Sequence, residues 1–475
     1  MGTLVGVLPG IGPVGAMAIL LPSTFGVPPV TGIILLCSIY YGAMYGGSTT
    51  SILVNIPGET ASVVTCLDGY QMAKQGRAGP ALGIAAFGSF IGGTISVILL
   101  MFLVYPLAKF AVKFGAPEYV SLIIMGLTFV TYLARGSMLK SLIMVVVGLI
   151  LGCIGQDVLT GTYRFRLGIQ DLTDGVPLIS MAMGFFGIAE VLENLEKPGE
   201  IPSVVKTKFR QLFPSLEDWK RSIGPIIRGS FLGFFLGILP GGGTILSSFL
   251  DYTMEKRISK NPEKFGTGAI EGVAGPETAN NSACAGGLIP LMVFGLPLNI
   301  IMALLLGTLL IHGVYPGPLF ISKHPEIFWG LVASMYMGNG MLLILNLPLI
   351  PVWVSLLRVP YYILFPLILL FCLIGAYSLD NSAFDIYAMI FFGVLGYILR
   401  KFEYEFAPLI LAFVLGPLLE QNFRQAVIMS KGSFMIFVNR PISLACVIIA
   451  GLLVATSGLS IIRKAREKIA EEAEE

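Results

Sequence analysis

Apolar residues run along this chain in long uncharged stretches, broken by short polar or Gly/Pro-rich segments. Residues 142–154, 365–376 and 445–456 carry no charged side chain. A membrane-spanning helix needs roughly 20 mostly apolar residues, and the pattern predicts about 11 or 12 such segments. The short alternating segments of an outer-membrane barrel are absent from the pattern. The expected fold class is an all-α polytopic membrane protein.

Within the apolar stretches, one Gly/Pro pattern occurs twice. Gly6-Val7-Leu8-Pro9-Gly10-Ile11-Gly12 returns as Gly237-Ile238-Leu239-Pro240-Gly241-Gly242-Gly243. Gly46-Gly47 with Asn55-Ile56-Pro57 returns as Gly286-Gly287 with Gly295-Leu296-Pro297. Further matches keep the order: Gly79-Pro80 with Gly317-Pro318, Pro117 with Pro360, Gly148 with Gly393, and Pro177-Leu178-Ile179 with Pro408-Leu409-Ile410. The series predicts a transmembrane repeat over 1–192, a basic cytoplasmic loop over 193–222 and a second repeat over 223–422. An extra helix and a charged tail follow over 423–475. An apolar stretch precedes the second Leu-Pro-Gly, whereas only seven residues precede Leu8. Either the first half lacks a full helix or the first residue lies inside one whose beginning is missing, and the second is the expectation.

Loop charges predict how the halves insert. Residues 22–29 are uncharged, while the corresponding 255–264 carries Lys256, Arg257, Lys260 and Lys264. Loop 135–140 holds Arg135 and Lys140, and its counterpart 378–385 holds Asp380 and Asp385. Loops 156–173 and 400–405 both hold basic residues and do not share the contrast, but opposite bias at the other equivalent points, read with the positive-inside rule, predicts two inverted repeats with discontinuous helices. The same rule places 193–221, with Lys197, Lys206, Lys208, Arg210, Lys220 and Arg221, on the cytoplasmic side.

Composition removes whole classes of function. Only 12% of residues are charged, against about 25% in soluble domains, and the net charge of +2 gives no reason to expect a nucleic-acid partner. The mean hydropathy is +0.84. Six scattered cysteines without CxxC spacing read as packing residues, and two histidines exclude a His-rich metal site. Gly10-Ile11-Gly12-Pro13-Val14-Gly15 fits GxGxxG, but its flanks are transmembrane-like and no acid occurs before Ile56, so a dinucleotide site is rejected. Asn280-Asn281-Ser282 matches a glycosylation sequon by chance, since it lies among membrane segments.

Candidate chemistry gathers at four broken segments. Pro9, Gly10 and Gly12, and Pro240, Gly241, Gly242 and Gly243, remove donors and widen backbone freedom at membrane depth. Such irregular backbone persists only where protein buries it or where it lines a cavity. A half-helix start offers N–H groups to a carboxylate, and a half-helix end offers carbonyls to a sodium ion. The alternative for each motif is a kink that serves packing alone. Beside the breaks lie Ser48, Thr49, Thr50, Asn55 and Pro57 in the first half, and Thr278, Asn280, Asn281, Ser282 and Pro297 in the second. Hydroxyls and amides bind anions and alkali ions without the desolvation cost of a fixed charge, although small polar residues also serve helix packing. Glu59, Asp68 and Glu277 are the acids nearest the motifs, and Glu59 and Glu277 read equally as helix caps or as site residues. No catalytic group, metal site or organic cofactor is expected; a sodium ion or proton would be the coupling ion.

At these residues the chain resembles the large membrane subunit of the tripartite tricarboxylate transporter family. The strings that carry the resemblance are GVLPGIGP (6–13), YGGSTTSILVNIPGETASVVTCLDGY (45–70), QGRAGPALG (75–83) and GPETANNSACAGGLIP (275–290). One departure is Leu298-Asn299 after Gly295-Leu296-Pro297, where the family pattern has Gly-Ser; it bears on substrate preference rather than fold. The resemblance implies a bacterial inner-membrane importer of tricarboxylates or related organic acids, driven by a sodium or proton gradient. It also implies two partners, a small membrane subunit of about four helices and an extracytoplasmic solute-binding protein. The sequence has no Walker A motif, in keeping with gradient coupling. A carrier for another organic anion, such as an aromatic carboxylate, is the nearest alternative. An intramembrane protease or a channel fits less well, since neither a Ser–His constellation nor a repeated filter is present.

Overall fold

The computed structural model describes residues 1–7, 12–134, 137–157, 159–196, 212–240, 243–356 and 361–457. Pro9, Gly10, Gly241 and Gly242 lie outside the described residues, as do Arg135, Lys197, Lys206, Lys208, Arg210 and the tail from 458.

The described chain is almost entirely helical. In order it forms α1 (Gly2–Val7), α2 (Gly12–Leu20), α3 (Pro29–Val54), α4 (Ala78–Ala111), α5 (Ala116–Leu133), α6 (Met138–Gly152) and α7 (Leu178–Glu196). Then come α8 (Leu216–Gly237), α9 (Gly243–Ile258), α10 (Glu271–Ile289), α11 (Ile300–Ile311), α12 (Pro325–Asn346) and α13 (Ile350–Leu356). The last four are α14 (Tyr361–Asp380), α15 (Ala383–Lys401), α16 (Ala407–Met429) and α17 (Pro441–Ser457). One small antiparallel ribbon, β1 (Gly155–Gln156) with β2 (Tyr163–Arg164), sits in the α6–α7 loop. Among the described residues, six helices are long and apolar enough to cross a membrane unaided, and five more apolar helices are shorter. The shortfall in length has a cause: the Gly/Pro breaks divide a span, as where α1 gives way to α2 and α8 to α9. Helix α8 begins at Leu216, where Ser215 caps it by accepting from the Asp218 N–H at 3.2 Å, so helix already starts within the segment expected as loop.

The two halves repeat contact by contact. Gly6 of α1 packs on the backbone of Ala43 in α3, and Gly237 of α8 packs on the backbone of Ala283 in α10. Gly46 lies against the Thr3 carbonyl, and Gly286 against that of Phe234. Helix α3 ends in a left-handed residue, Asn55 (φ 58°), and the wide turn after α10 ends in another, Gly295 (φ 68°). Glu59 then caps the next segment through the Ala61 N–H at 2.6 Å, and Asn299 caps α11 through the Met302 N–H at 2.9 Å. These pairs share the sequence offsets of 231 and 240 (237 − 6 and 286 − 46). Helices α4 and α12 are equivalent by order, and their contacts give their directions. Asn346 meets the part of α4 between Leu82 and Ser89, Asn339 meets Gly93, and Tyr336 reaches Met101. The numbers fall along one helix as they rise along the other, so these equivalents run antiparallel. A repeat about the membrane normal would make them parallel; inversion makes them antiparallel.

Ion pairs divide into two sets that follow from this path. At one end lie Arg77–Asp218, Arg221–Glu271, Arg228–Glu255, Lys140–Glu403, Arg400 with Glu190 and Glu193, and Lys401–Glu196. At the other lie Arg440–Glu118 and a knot of Arg164, Arg424, Asp157 and Glu420. The first end also carries Lys220, Arg221, Lys256, Arg257, Lys260 and Lys264, the bias from which the positive-inside rule predicts a cytoplasmic face. Single cysteines introduced at Lys260 and Leu167 into a cysteine-free background should therefore react with an impermeant thiol reagent from opposite faces of the membrane. Labelling of both from one face would refute this path.

Candidate functional site

The sequence places a proline one residue before the acid of α10. Pro276 lacks an N–H and leaves the carbonyl one turn back without its helical partner, so the helix is locally weakened where Glu277 projects. Glu277 is wholly buried and lies within α10, not at its N-terminus. The hydroxyls of Ser48 in α3 and Thr65 in the segment 60–74 both donate to its carboxylate, and the Asn280 amide lies at 3.4 Å. Asn281 continues the network, donating to Ser89 Oγ of α4 at 2.8 Å and to Asn280 Oδ1 at 2.6 Å. Four separate stretches of chain thus meet in one network around Glu277.

Glycines make that meeting possible. Gly88 and Gly92 of α4 lie against Thr278, and Gly47 lies against Glu59 and Ser62. Side chains there would hold the helices apart, and close approach through small residues is how membrane helices pack.

A small polar pocket opens beside the network, lined by Tyr45, Ser48, Thr49, Leu82, Ala85, Ala86, Ser89 and Asn346. Around it, buried oxygens lack hydrogen-bond partners: Tyr45 Oη, Asn346 Oδ1, Asn281 Oδ1 and Glu59 Oε1. Buried polar groups are normally satisfied, and an exception calls for an explanation such as an ion or water. Neither Glu59 nor Glu277 has a basic partner among the described residues. A charged carboxylate inside a protein costs several kcal/mol, and charge-assisted hydrogen bonds return about 1.5–3 kcal/mol each. Two buried acids and three orphaned neutral oxygens, with no arginine or lysine beside them among the described residues, are a donor set that suits a cation or proton. They do not make an anion clamp.

The predicted residues divide accordingly. Ser48, Thr49, Glu277, Asn280 and Asn281 meet at the site, and Glu59 adjoins it while also capping the segment 60–62. Thr50 donates to the Val7 carbonyl at 3.0 Å and Ser282 to that of Ser230, so these two tie helices together, while Thr278 returns to the Ala274 carbonyl of its own helix at 2.6 Å. Asn55 is exposed at the end of α3. Pro240, Gly243 and Pro297 are buried, Pro57 and Gly12 partly so, and all five sit at breaks rather than in the network. Asp68 accepts from the N–H groups of Gly266, Gly268 and Ala269 at 2.8–2.9 Å and from the Tyr252 hydroxyl at 2.9 Å. It is a clamp on the loop before α10. Sequence reasoning missed Thr65, Ser89, Tyr45 and Asn346. A usable signal existed in α12, where Asn339 and Asn346 are seven residues apart on one face of an apolar helix.

The repeat duplicates the fold and not the site. At the offset of 240, Ser48 corresponds to Leu288, Thr65 to Leu305, Glu277 to Cys37, Asn280 to Tyr40 and Asn281 to Tyr41. All five counterparts are buried in one apolar core. The twin position is filled, and the polar chemistry lies on one side of the pseudo-two-fold axis.

The family model described as the tripartite tricarboxylate transporter TctA family matches residues 1–411. An uncharacterized 52.8 kDa protein in the TAR-I ttuC' 3' region of Agrobacterium vitis is 52% identical over 469 residues, covering 99% of this chain and 93% of that protein. A second protein, in the TAR-II ttuC' 3' region of the same organism, is 52% identical over 225 residues, 46% of this chain and 93% of its own length. No solved structure matches.

Proposed function

The chain belongs to the tripartite tricarboxylate transporter TctA family, and from that premise we propose that it is the large subunit of a gradient-driven importer of tricarboxylates or related organic acids. The observation that carries the coupling is the buried Glu277 network with its orphaned neutral oxygens. The coupling ion binds among Ser48, Thr65, Glu59, Glu277, Asn281 and Asn346, and the carboxylate substrate binds next to it. The ion supplies the positive charge that the broken segments lack, so substrate and ion favour each other's binding. Half-helix N-termini at the breaks contribute partial positive charge toward the substrate.

Sodium is the preferred ion, because hydroxyl and amide oxygens outnumber the acids. Asp68 drops out of the proton alternative, since four donors hold it in place, and this leaves Glu59 and Glu277. A solute-binding protein delivers dilute anion from outside, and a small membrane subunit completes the complex in the bacterial inner membrane.

Reconstitution tests the reading. In liposomes with a sodium or proton gradient, this chain alone should give little carboxylate uptake at low substrate, and adding the small subunit and binding protein should restore it. Equal saturable uptake by the isolated chain would refute the dependence on partners. Uptake that survives collapse of both gradients and requires ATP would overturn the mechanism.

A further inference from the structure

Away from the Glu277 network, α9 carries a second buried acid that the mechanism above does not use. Asp251 is wholly buried, and neither carboxylate oxygen has a hydrogen-bond partner. It is wedged between Gly229 of α8 and Gly275 of α10, where a built Cβ on Gly229 would lie 3.2 Å from Oδ1 and one on Gly275 would collide with Oδ2. Helix interiors offer it no free N–H. One turn along α9, Glu255 is also buried, and it holds the Arg228 guanidinium of α8 through bonds of 2.7 and 2.6 Å. Other charged or titratable groups on the elements packed against α9 are engaged elsewhere. Glu271 of α10 pairs with Arg221, Glu277 bonds Ser48 and Thr65, Glu59 caps the segment 60–62, and Asp68 bonds Tyr252. Arg228 is thus bonded to Glu255, and Asp251 feels its charge but forms no salt bridge among the described residues.

We propose that Asp251 is a proton-binding site of the carrier, separate from the site at Glu277. In the packed arrangement the carboxyl holds its proton as a neutral acid. When α9 parts from α8 and α10, water reaches the group, the O–H bond breaks and the proton passes to water. The wedge selects a proton over a metal ion, because a proton needs no coordination shell and the glycine Cα atoms leave no room for one. An intramembrane acid is a functional group by default, and here it lies on the broken-helix pair, the part of a repeat expected to move. This inference rests on the transport reading above.

The test compares the wild-type chain with Asp251→Asn, each reconstituted with both partners at fixed sodium. Asparagine reproduces the shape of the neutral acid. The variant should retain carboxylate counterflow exchange within about twofold and lose about tenfold or more of the stimulation given by an inward proton gradient. Asp251→Glu should recover part of that stimulation. Wild-type stimulation in Asp251→Asn overturns the proposal while leaving the transport reading intact. Absence of exchange in the wild-type protein defeats the transport reading itself. If Asp251→Asn does not accumulate in the membrane, Asp251→Ser carries the same comparison, and its full proton stimulation would equally overturn the proposal.

Discussion

Glu277→Ala should lower ion-driven carboxylate uptake by about a hundredfold or more while the chain still reaches the membrane. The carboxylate of α10 joins α3 and the segment 60–74, and α4 meets the same residue at its backbone carbonyl through Ser89. Its removal orphans the Thr65 hydroxyl and leaves that of Ser48 only the Met44 carbonyl at 3.3 Å, and an unsatisfied buried group costs about 1–3 kcal/mol. It also removes one of the two acids available to a coupling ion. Glu277→Gln separates these effects, since an amide oxygen still accepts both hydroxyl protons and only the charge is lost. Under sodium coupling, the glutamine variant should need much higher sodium for half-maximal uptake. Under proton coupling through this residue, it should instead lose its pH dependence. Uptake assays normalised to membrane-inserted protein check both variants, and wild-type uptake in Glu277→Ala would remove the network from the mechanism. Asn281→Ala should give a smaller loss in the same assay, because the bond to Ser89 and the orphaned Oδ1 go together.

Which parts of this arrangement were legible in the sequence follows from what a pattern can encode. The repeat was legible because Gly and Pro act locally: the left-handed positions at Asn55 and Gly295 and the close contacts at Gly46 and Gly286 leave a direct mark on composition. Inversion was legible through loop charge, and the antiparallel course of α4 and α12 agrees with it. Glu277, Asn281 and Ser48 stood out as polar residues in apolar surroundings. Thr65 and Ser89 did not, because their role depends on which helices meet, and a single hydroxyl in an apolar helix more often returns to its own backbone. Thr94, for example, donates to the Phe90 carbonyl at 2.7 Å. Thr50, Thr278 and Ser282 show the same ambiguity from the other side, since they belong to the conspicuous clusters yet bond backbone carbonyls. The asymmetry of the site was hidden because both halves keep the same Gly/Pro scaffold while Cys37, Tyr40 and Tyr41 replace the polar triplet. Scaffold and chemistry are thus written in separate positions, and only the first is duplicated.

That separation yields a sharp prediction about the scaffold. Gly6, Gly46, Gly237 and Gly286 each place a helix backbone against a neighbouring backbone, so an added side chain meets atoms that cannot rotate away. Replacing any of them by leucine must push α1 from α3, or α8 from α10. Overpacking of a core typically costs about 1–3 kcal/mol and occasionally more, and a contact with rigid backbone belongs at the upper end. Gly237→Leu and Gly286→Leu should therefore lower the thermal midpoint of the detergent-solubilised protein by several degrees or prevent its accumulation. Gly6→Leu and Gly46→Leu should do the same, since the two crossings are equivalent. The control lies in α12, where a side chain on Gly338 or Gly340 would meet nothing within 4 Å. Leucine at either of those positions should leave the midpoint within a degree or two. Equal tolerance at all six glycines would mean that the repeated Gly pattern does not set the helix crossings. Destabilisation confined to one half would mean that the two crossings are not structural equivalents.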